Sequence, residues 1–399
     1  MEVGILYLPS VGSLEEKLKG FAGKRTDLYQ ELLHDLTVQS QYLDEHGYYG
    51  VGFTEHHFHI EGSEVSNNPT LLGAYLGPKT KRLRWGQLGY VLPAQHPIRM
   101  AEDVAMLDQM LQGRAFFGIA RGYQVRWVNS MGQLIPGLRD ARDFETYDRV
   151  KRELYEEHFE IVLKAWTQRT FTHKGKHWEF PVPGQVWPAA DFTRKLGAGV
   201  DADGVVTEIG IAPPCYNNRV PDMFQPFSFS VTSLRWAARN KLVPISLVCD
   251  QDLVQEHFTA FQDEAAKHGR NLAYGQQMGI MRDIVVADTD AEANELARNA
   301  GYQVWYDFFV PFGFNEAVRR RHEKLEDIPT DYQTLCDRGL IIAGSPDTVN
   351  RKLEKLRKEL PSEYLFLLTY TQLIPLPKMM RHWELLTEKV LPNFTDKIR

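Results

Sequence analysis

The sequence predicts a parallel (β/α)8 barrel, and three features lead to it. Short β-rich runs alternate with amphipathic helical segments over most of the chain, the order of elements that builds a parallel sheet from repeated βα units. A last apolar run at 364–370 stands where a closing strand is needed. The length of 399 residues permits one or two domains and is one that barrels reach as a single unit; one domain over 1–399 is the expectation.

Taken in order, the first strand is read at 3–8. A helix follows over 27–46, with Leu28, Leu32, Leu36, Tyr42 and Leu43 at helical spacing and Gly47 as its stop. Strands at 49–54, 83–92 and 115–120 are separated by helices at 69–77 and 97–111, and a long helix runs over 144–167 with Leu154, Phe159, Val162 and Trp166 on its apolar stripe. From 171 to about 225 the pattern breaks into Pro, Gly, Asn and Asp clusters, read as an insertion between barrel units with hairpin strands at 176–180 and 205–211. Alternation resumes with strands at 226–230, 244–248 and 282–287. A helical excursion, 290–339, precedes the closing strand; its charged segment 319–327 reads as a solvated surface.

Composition narrows the function. A net charge of -6 gives no electrostatic footprint for nucleic acid or an anionic membrane, so neither partner is expected. No run approaches a membrane span and the N-terminal MEVGILYLP has no leader character, so a cytoplasmic protein is expected. Cys215, Cys249 and Cys336 are odd in number and far apart, which suits neither a disulfide framework nor a zinc knuckle.

A barrel places its chemistry at the C-terminal ends of its strands, and four clusters lie there. Thr54-Glu55-His56-His57-Phe58-His59 follows the second strand; histidine exchanges protons near neutral pH, and Glu55 could fix a neighbouring imidazole. If the strand continued, Glu55, His57 and His59 would share one side and suit a metal, or the histidines could simply serve as loop hydrogen-bonders. Gly118 to Tyr123 brings Arg121 to a glycine-bounded turn, and Arg152 on the long helix could add a second positive charge for a phosphate. Ser228 to Ser233 opens a helix directly after a strand, a combination of hydroxyls and free N–H groups that makes an anion site. In the run 82–97, Gly86 and Gly89 interrupt a buried strand, marking a bulge or the close approach of a flat ligand. Phe53, Phe58, Tyr123 and Trp127 could wall a pocket or belong to the core. No Rossmann fingerprint, Walker A or G-x-S-x-G motif is present.

Several pieces in series resemble the bacterial-luciferase-like flavin-dependent monooxygenase family. They are Glu55-His56-His57-Phe58, Asn68-Pro69, Val91-Leu92-Pro93-Ala94-Gln95-His96-Pro97, Ala101-Glu102-Asp103, Leu107-Asp108-Gln109-Met110 leading to Gly113-Arg114, Gly118 to Gly122, and later Gly344-Ser345-Pro346. The resemblance implies that His56 is catalytic, with Glu55 beside it. It implies that Arg121, Arg152, Ser230 and Ser233 hold the phosphate of FMN, that Glu102 lies on the flavin side, and that Leu88-Gly89 is a cis peptide under the flavin ring. It further implies reduced FMN supplied by a separate flavin reductase, O2 and a small organic substrate oxidised through a flavin peroxide, and a homodimer. Ala120 stands where luciferase has a reactive cysteine, so light emission is not implied. A deazaflavin-dependent oxidoreductase of the same superfamily is the nearest alternative, a metal-dependent barrel hydrolase the more distant one, and a flavin-storing protein without catalysis a third. Little aligns over 171–224 and 304–338, so the substrate is not named.

Overall fold

The computed structural model describes residues 1–135, 137–138 and 143–398. The elements of the first half are β1 (Glu2–Leu8), α1 (Leu14–Leu18), α2 (Thr26–Glu45), β2 (Gly50–Phe53), α3 (Pro69–Leu76), β3 (Arg84–Val91), α4 (Pro97–Met110), β4 (Ala115–Ala120), α5 (Val125–Met131) and α6 (Phe144–Thr167). There follow β5 (His173–Lys174), β6 (Glu179–Phe180), α7 (Ala190–Leu196), β7 (Asp222–Pro226), α8 (Val231–Arg239), β8 (Val243–Ser246), α9 (Gln251–Lys267), β9 (Gly279–Val286) and α10 (Asp290–Ala297). The chain ends with α11 (Tyr332–Asp337), β10 (Ile341–Gly344), α12 (Pro346–Glu359), β11 (Tyr364–Tyr370) and α13 (Leu376–Leu385).

Eight strands form a closed parallel ring, β11-β1-β2-β3-β4-β7-β8-β9, in which β9 pairs with both β8 and β11. This is the (β/α)8 barrel the alternation predicts. Every residue of β2 and β9 is buried, as in parallel strands covered on both faces. The short β10 is an addition: it pairs only with the second half of β9, from Asp283 to Val286, beyond the point where β8 has stopped.

Aromatic side chains fill the lumen. The rings of Tyr49, Phe116, Phe224, Tyr364 and Phe366 meet at centroid separations from 5.4 to 6.4 Å. They come from in or beside β2, β4, β7 and β11, and strands that are not neighbours in the ring can touch only across its interior. Small residues make the room: a Cβ on Gly4 would strike the Phe366 ring, and one on Gly86 would strike the Phe116 carbonyl. The ring's outer face is covered by helices, with Tyr7 Oη and Trp383 Nε1 both donating to the buried Gln39 Oε1 of α2 at 2.8 and 3.0 Å.

By compactness the chain divides into two units, one of Met1–Gly89, Phe116–Ile119 and Met223–Arg399, the other of Tyr90–Ala115 and Ala120–Asp222. Within the second, Val128, Ile135, Leu138, Val150 and Leu154 pack around Trp127. Glu157 of α6 clamps the β5-β6 hairpin, accepting from Trp178 N–H at 2.8 Å and pairing with His173 Nε2 at 3.1 Å. Asp108 of α4 accepts from Ala115 N–H at 3.2 Å and Tyr216 N–H at 2.9 Å, so this carboxylate ties the start of β4 to the chain approaching β7.

Several boundaries differ from the sequence reading. The fifth barrel strand is Asp222–Pro226 rather than 226–230, because Phe227 takes a left-handed φ of 56° and ends it. The expected hairpin strand at 205–211 makes only isolated bridges, and Glu179–Phe180 pairs with His173–Lys174 instead. At Gly86 and Gly89 the close approach is by the backbone of β4: an added Cβ would meet the Phe116 carbonyl at one and Ile119 at the other. Phe53 and Trp127 belong to the core, with Phe53 stacked between Tyr7 and Trp85. The three cysteines are free, and no helix among the described residues is long and apolar enough to cross a membrane.

Gly86→Ala tests the packing between β3 and β4. Because the added methyl meets backbone rather than a movable side chain, we expect a loss of about 3 kcal/mol in urea unfolding. Gly197→Ala, whose nearest neighbour is an ordinary contact at 3.4 Å, should leave the midpoint nearly unchanged.

Candidate active site

The chain after β2 folds back on itself. His56 N–H donates to the Ser66 carbonyl at 3.1 Å, and Val65 N–H to the Pro9 carbonyl at 2.7 Å, so residues 56–66 form a closed loop tied to the end of β1. Four non-glycine residues with left-handed φ lie in connections that follow barrel strands: Phe58 (65°) and Glu64 (51°) in this loop, Phe227 (56°) after β7 and Gln372 (59°) after β11. Strained backbone of this kind persists where surrounding structure holds it and clusters at functional sites.

Reversal of the loop sets Glu64 against His56, with Glu64 Oε2 3.4 Å from His56 Nε2 and both side chains buried. Glu55 turns instead to His57, whose Nε2 lies 3.1 Å from Glu55 Oε1. The grouping of Glu55, His57 and His59 on one strand face is therefore not formed, because β2 ends at Phe53. His59 lies beside His56 at a ring separation of 5.5 Å, and donor atoms of His56, His59 and Glu64 all fall within 4.8 Å of one another.

Two more acids reach the same region. Burial pushes the Asp283 carboxyl of β9 up to about 8. Tyr370, at the end of β11, is raised well above its ordinary value by burial first, then by Asp283 and Glu64. Lys17 is lowered to about 8 by burial, which Glu64 partly offsets. Thr54 Oγ1, Ser66 Oγ, Gln225 Oε1 and Asp283 Oδ2 are buried without a hydrogen-bond partner. Buried polar atoms are nearly always bonded, so a set of them at and after barrel strands fits a polar ligand.

After β7, Ser230 caps α8: its Oγ accepts from Ser233 N–H at 3.3 Å and donates to Ser233 Oγ at 3.0 Å. Both hydroxyls thus lie at the helix N-terminus, where an anion is favoured. Ser228, by contrast, is buried and donates to the Gln225 carbonyl at 3.2 Å. The Leu88-Gly89 peptide is cis.

In the second unit, Arg121 Nη1 pairs with Asp148 at 3.2 Å with both side chains about half exposed. Arg152 on α6 is exposed. Its neighbour Lys151 is the buried cation, donating to the Gly122 carbonyl at 2.7 Å. Burial, and then Arg121, lower Lys151 to about 8. Glu102 is half-buried on α4. His158, lowered to about 4 by burial, donates through Nδ1 to the Leu92 carbonyl at 2.7 Å and accepts at Nε2 from Trp178. It is a neutral structural histidine.

Sequence reasoning missed Glu64, Asp283, Tyr370 and Lys151. For Lys151 there was a signal, a second cation adjacent to Arg152; Glu64 depends on a loop reversal and Asp283 on barrel closure, which no local pattern carries.

The family profile described as luciferase-like monooxygenase matches residues 17–362. A 3,6-diketocamphane 1,6-monooxygenase of Pseudomonas putida is 25% identical over 300 residues, 72% of this chain and 74% of that protein. An alkanal monooxygenase alpha chain of a Kryptophanaron alfredi symbiont is 25% identical over 82% of this chain and 77% of its own length. Among solved structures, the oxygenating constituent of the Pseudomonas putida 3,6-diketocamphane monooxygenase, a type II Baeyer-Villiger enzyme in complex with FMN, superposes with a TM-score of 0.73 at 22% identity, covering 99% of each chain.

Asp283 makes the fold pH-dependent. Its folded value lies above the unfolded one, so its contribution is fully present below about pH 4 and is lost as pH rises to about 8. Relative to Asp283→Asn, the protein should lose about 1.4 kcal/mol per pH unit between pH 5 and 8. Urea unfolding of both proteins across that range measures it; parallel curves would remove the raised carboxyl.

Proposed function

The chain belongs to the luciferase-like monooxygenase family, a family of flavin-dependent oxidoreductases, and from that premise we propose that it oxidises a small organic substrate with O2 and reduced FMN delivered by a separate flavin reductase. The observation that carries the reading is the buried His56–Glu64 pair in the strained loop after β2, at the end of the barrel where such enzymes work. Reduced flavin, when bound, supplies the electrons that activate oxygen.

The protein's own residues would bind, orient and move protons. Glu64 faces His56 Nε2, and the imidazole would pass a proton to or from the reacting group. Glu55, paired with His57, keeps the neighbouring ring in place. Ser230 and Ser233 offer hydroxyls and the α8 N-terminus to the FMN phosphate, and Arg121 and Arg152 are assigned its positive charge. Glu102, Leu88 and Gly89 are assigned to the flavin ring. Asp283, kept protonated by burial, would offer a bound ligand a hydrogen-bond donor rather than a charge. A single domain over 1–399, paired with a second copy, belongs to the same reading.

Anaerobic titration with reduced FMN, followed by oxygen uptake with candidate ketones and aldehydes, tests the proposal. Saturable FMN binding and substrate-dependent oxygen uptake are expected, unchanged by a chelator. Turnover with a deazaflavin and none with FMN would replace the reading. His56→Ala should cut kcat by about 10²–10⁴-fold with FMN affinity retained, and Glu64→Gln by about tenfold with a shifted pH profile. Ser233→Ala should weaken FMN binding instead.

A further inference from the structure

Away from the barrel mouth, a cavity of about 310 Å³ opens between the start of α9, the middle of β9, the end of α11 and the flank of α12. Its walls carry Arg282, Arg320, Arg338, Lys352 and Lys355. Two of these cations are matched: Arg338 forks onto Glu323 and Lys355 lies 4.0 Å from Glu359.

Arg282 is different. Its side chain is 1% exposed, yet among the described residues no carboxylate lies within ion-pair distance of it. Its guanidinium donates only to backbone carbonyls, Nη1 to Met281 at 2.7 Å and Nη2 to Val248 at 2.9 Å, and Nε has no acceptor. Arginine does not shed its proton, and a buried charge without a counter-charge is among the most unfavourable arrangements a fold can hold. Lys352, half-buried, donates to the Ala343 carbonyl, and the exposed Arg320 stands at the rim. Of the lining acids, Asp250 is engaged in capping α9 through Leu253 N–H and Asp337 accepts from Gln333. The positive groups thus run from an exposed rim to a buried floor, a gradient that draws an anion inward.

We propose that this cavity binds a small oxyanion, a carboxylate or a phosphate group, which completes the hydrogen bonding of Arg282 and is held by Lys352 and Arg320. The site is separate from the proposed flavin chemistry and stands or falls independently of it.

The test is calorimetric titration of the FMN-loaded protein with sodium phosphate and, separately, sodium succinate, in chloride buffer of constant ionic strength. Saturable binding at one site is expected for at least one anion, and the tighter of the two identifies the ligand class. Arg320→Ser and Lys352→Met should each weaken it roughly tenfold, with the thermal midpoint in chloride unchanged for Arg320→Ser. Arg282→Met should abolish binding and, by removing an uncompensated charge, raise the midpoint in chloride. Ser233→Ala should leave anion affinity as it is. Binding of neither anion, or binding that Ser233→Ala removes while Arg320→Ser and Lys352→Met do not, overturns the proposal.

Discussion

Closure of the ring depends on how volume is distributed inside it. Phe366 can enter the lumen because Gly4 stands opposite, and β3 can approach β4 because Gly86 leaves space for the Phe116 carbonyl. The interlocked rings of Tyr49, Phe116, Phe224, Tyr364 and Phe366 then form a solid plug. A filled lumen has a functional consequence: the barrel cannot admit a ligand along its axis, so chemistry is confined to side chains at and beyond the strand ends. The left-handed backbone at Phe58, Glu64, Phe227 and Gln372 lies in those same connections. Packing that tolerates no insertion below is what allows strained loops to be held in place above.

The fold was largely legible in the sequence because its signal is periodic. Leu28, Leu32, Leu36 and Leu43 recur at helical spacing and are all buried on α2. Apolar runs mark β1, β3, β4 and β11 to within a residue or two. Boundaries failed where a single dihedral decides, as at Phe227, which no composition rule foresees. The element β10 was hidden for another reason: Ile341–Gly344 gains its strand character only from the half of β9 that β8 leaves unpaired. In the insertion, short bridges at Phe171, Val186 and Val200 carry too few residues to show alternation.

For the site, residue types were legible and partnerships were not. His56 stood out as the residue to watch, but the adjacent Glu55 was the obvious carboxylate, and the structure gives that one to His57. Glu64 reaches His56 because the Ser66 carbonyl takes the His56 N–H, reversing the chain between them. A backbone hydrogen bond such as this one, between residues 56 and 66, leaves no trace in side-chain chemistry. Lys151 outranks Arg152 as the buried cation through the phase of α6, a matter of about 100° of helix rotation that an exposed and a buried neighbour share at any helix edge.

Strand parity accounts for a feature that local chemistry does not. Arg282 and Asp283 are consecutive, oppositely charged in their ordinary forms and both buried, yet neither neutralises the other: Asp283 is shifted by burial alone, and Arg282 bonds only to carbonyls. Successive residues of a strand face opposite sides of the sheet. Asp283 therefore stands with Tyr370 and against Gly301, while Arg282 faces the cavity lined by Lys352 and Lys355. A one-residue slip of β9 would exchange the two, burying a cation beside Tyr370 and an acid among lysines. The register that pairs Asp283 with Ile341 and Arg282 with Leu367 thus separates an acid held neutral by burial from a cation in need of an anion. One β-strand then serves two sites of opposite electrostatic character.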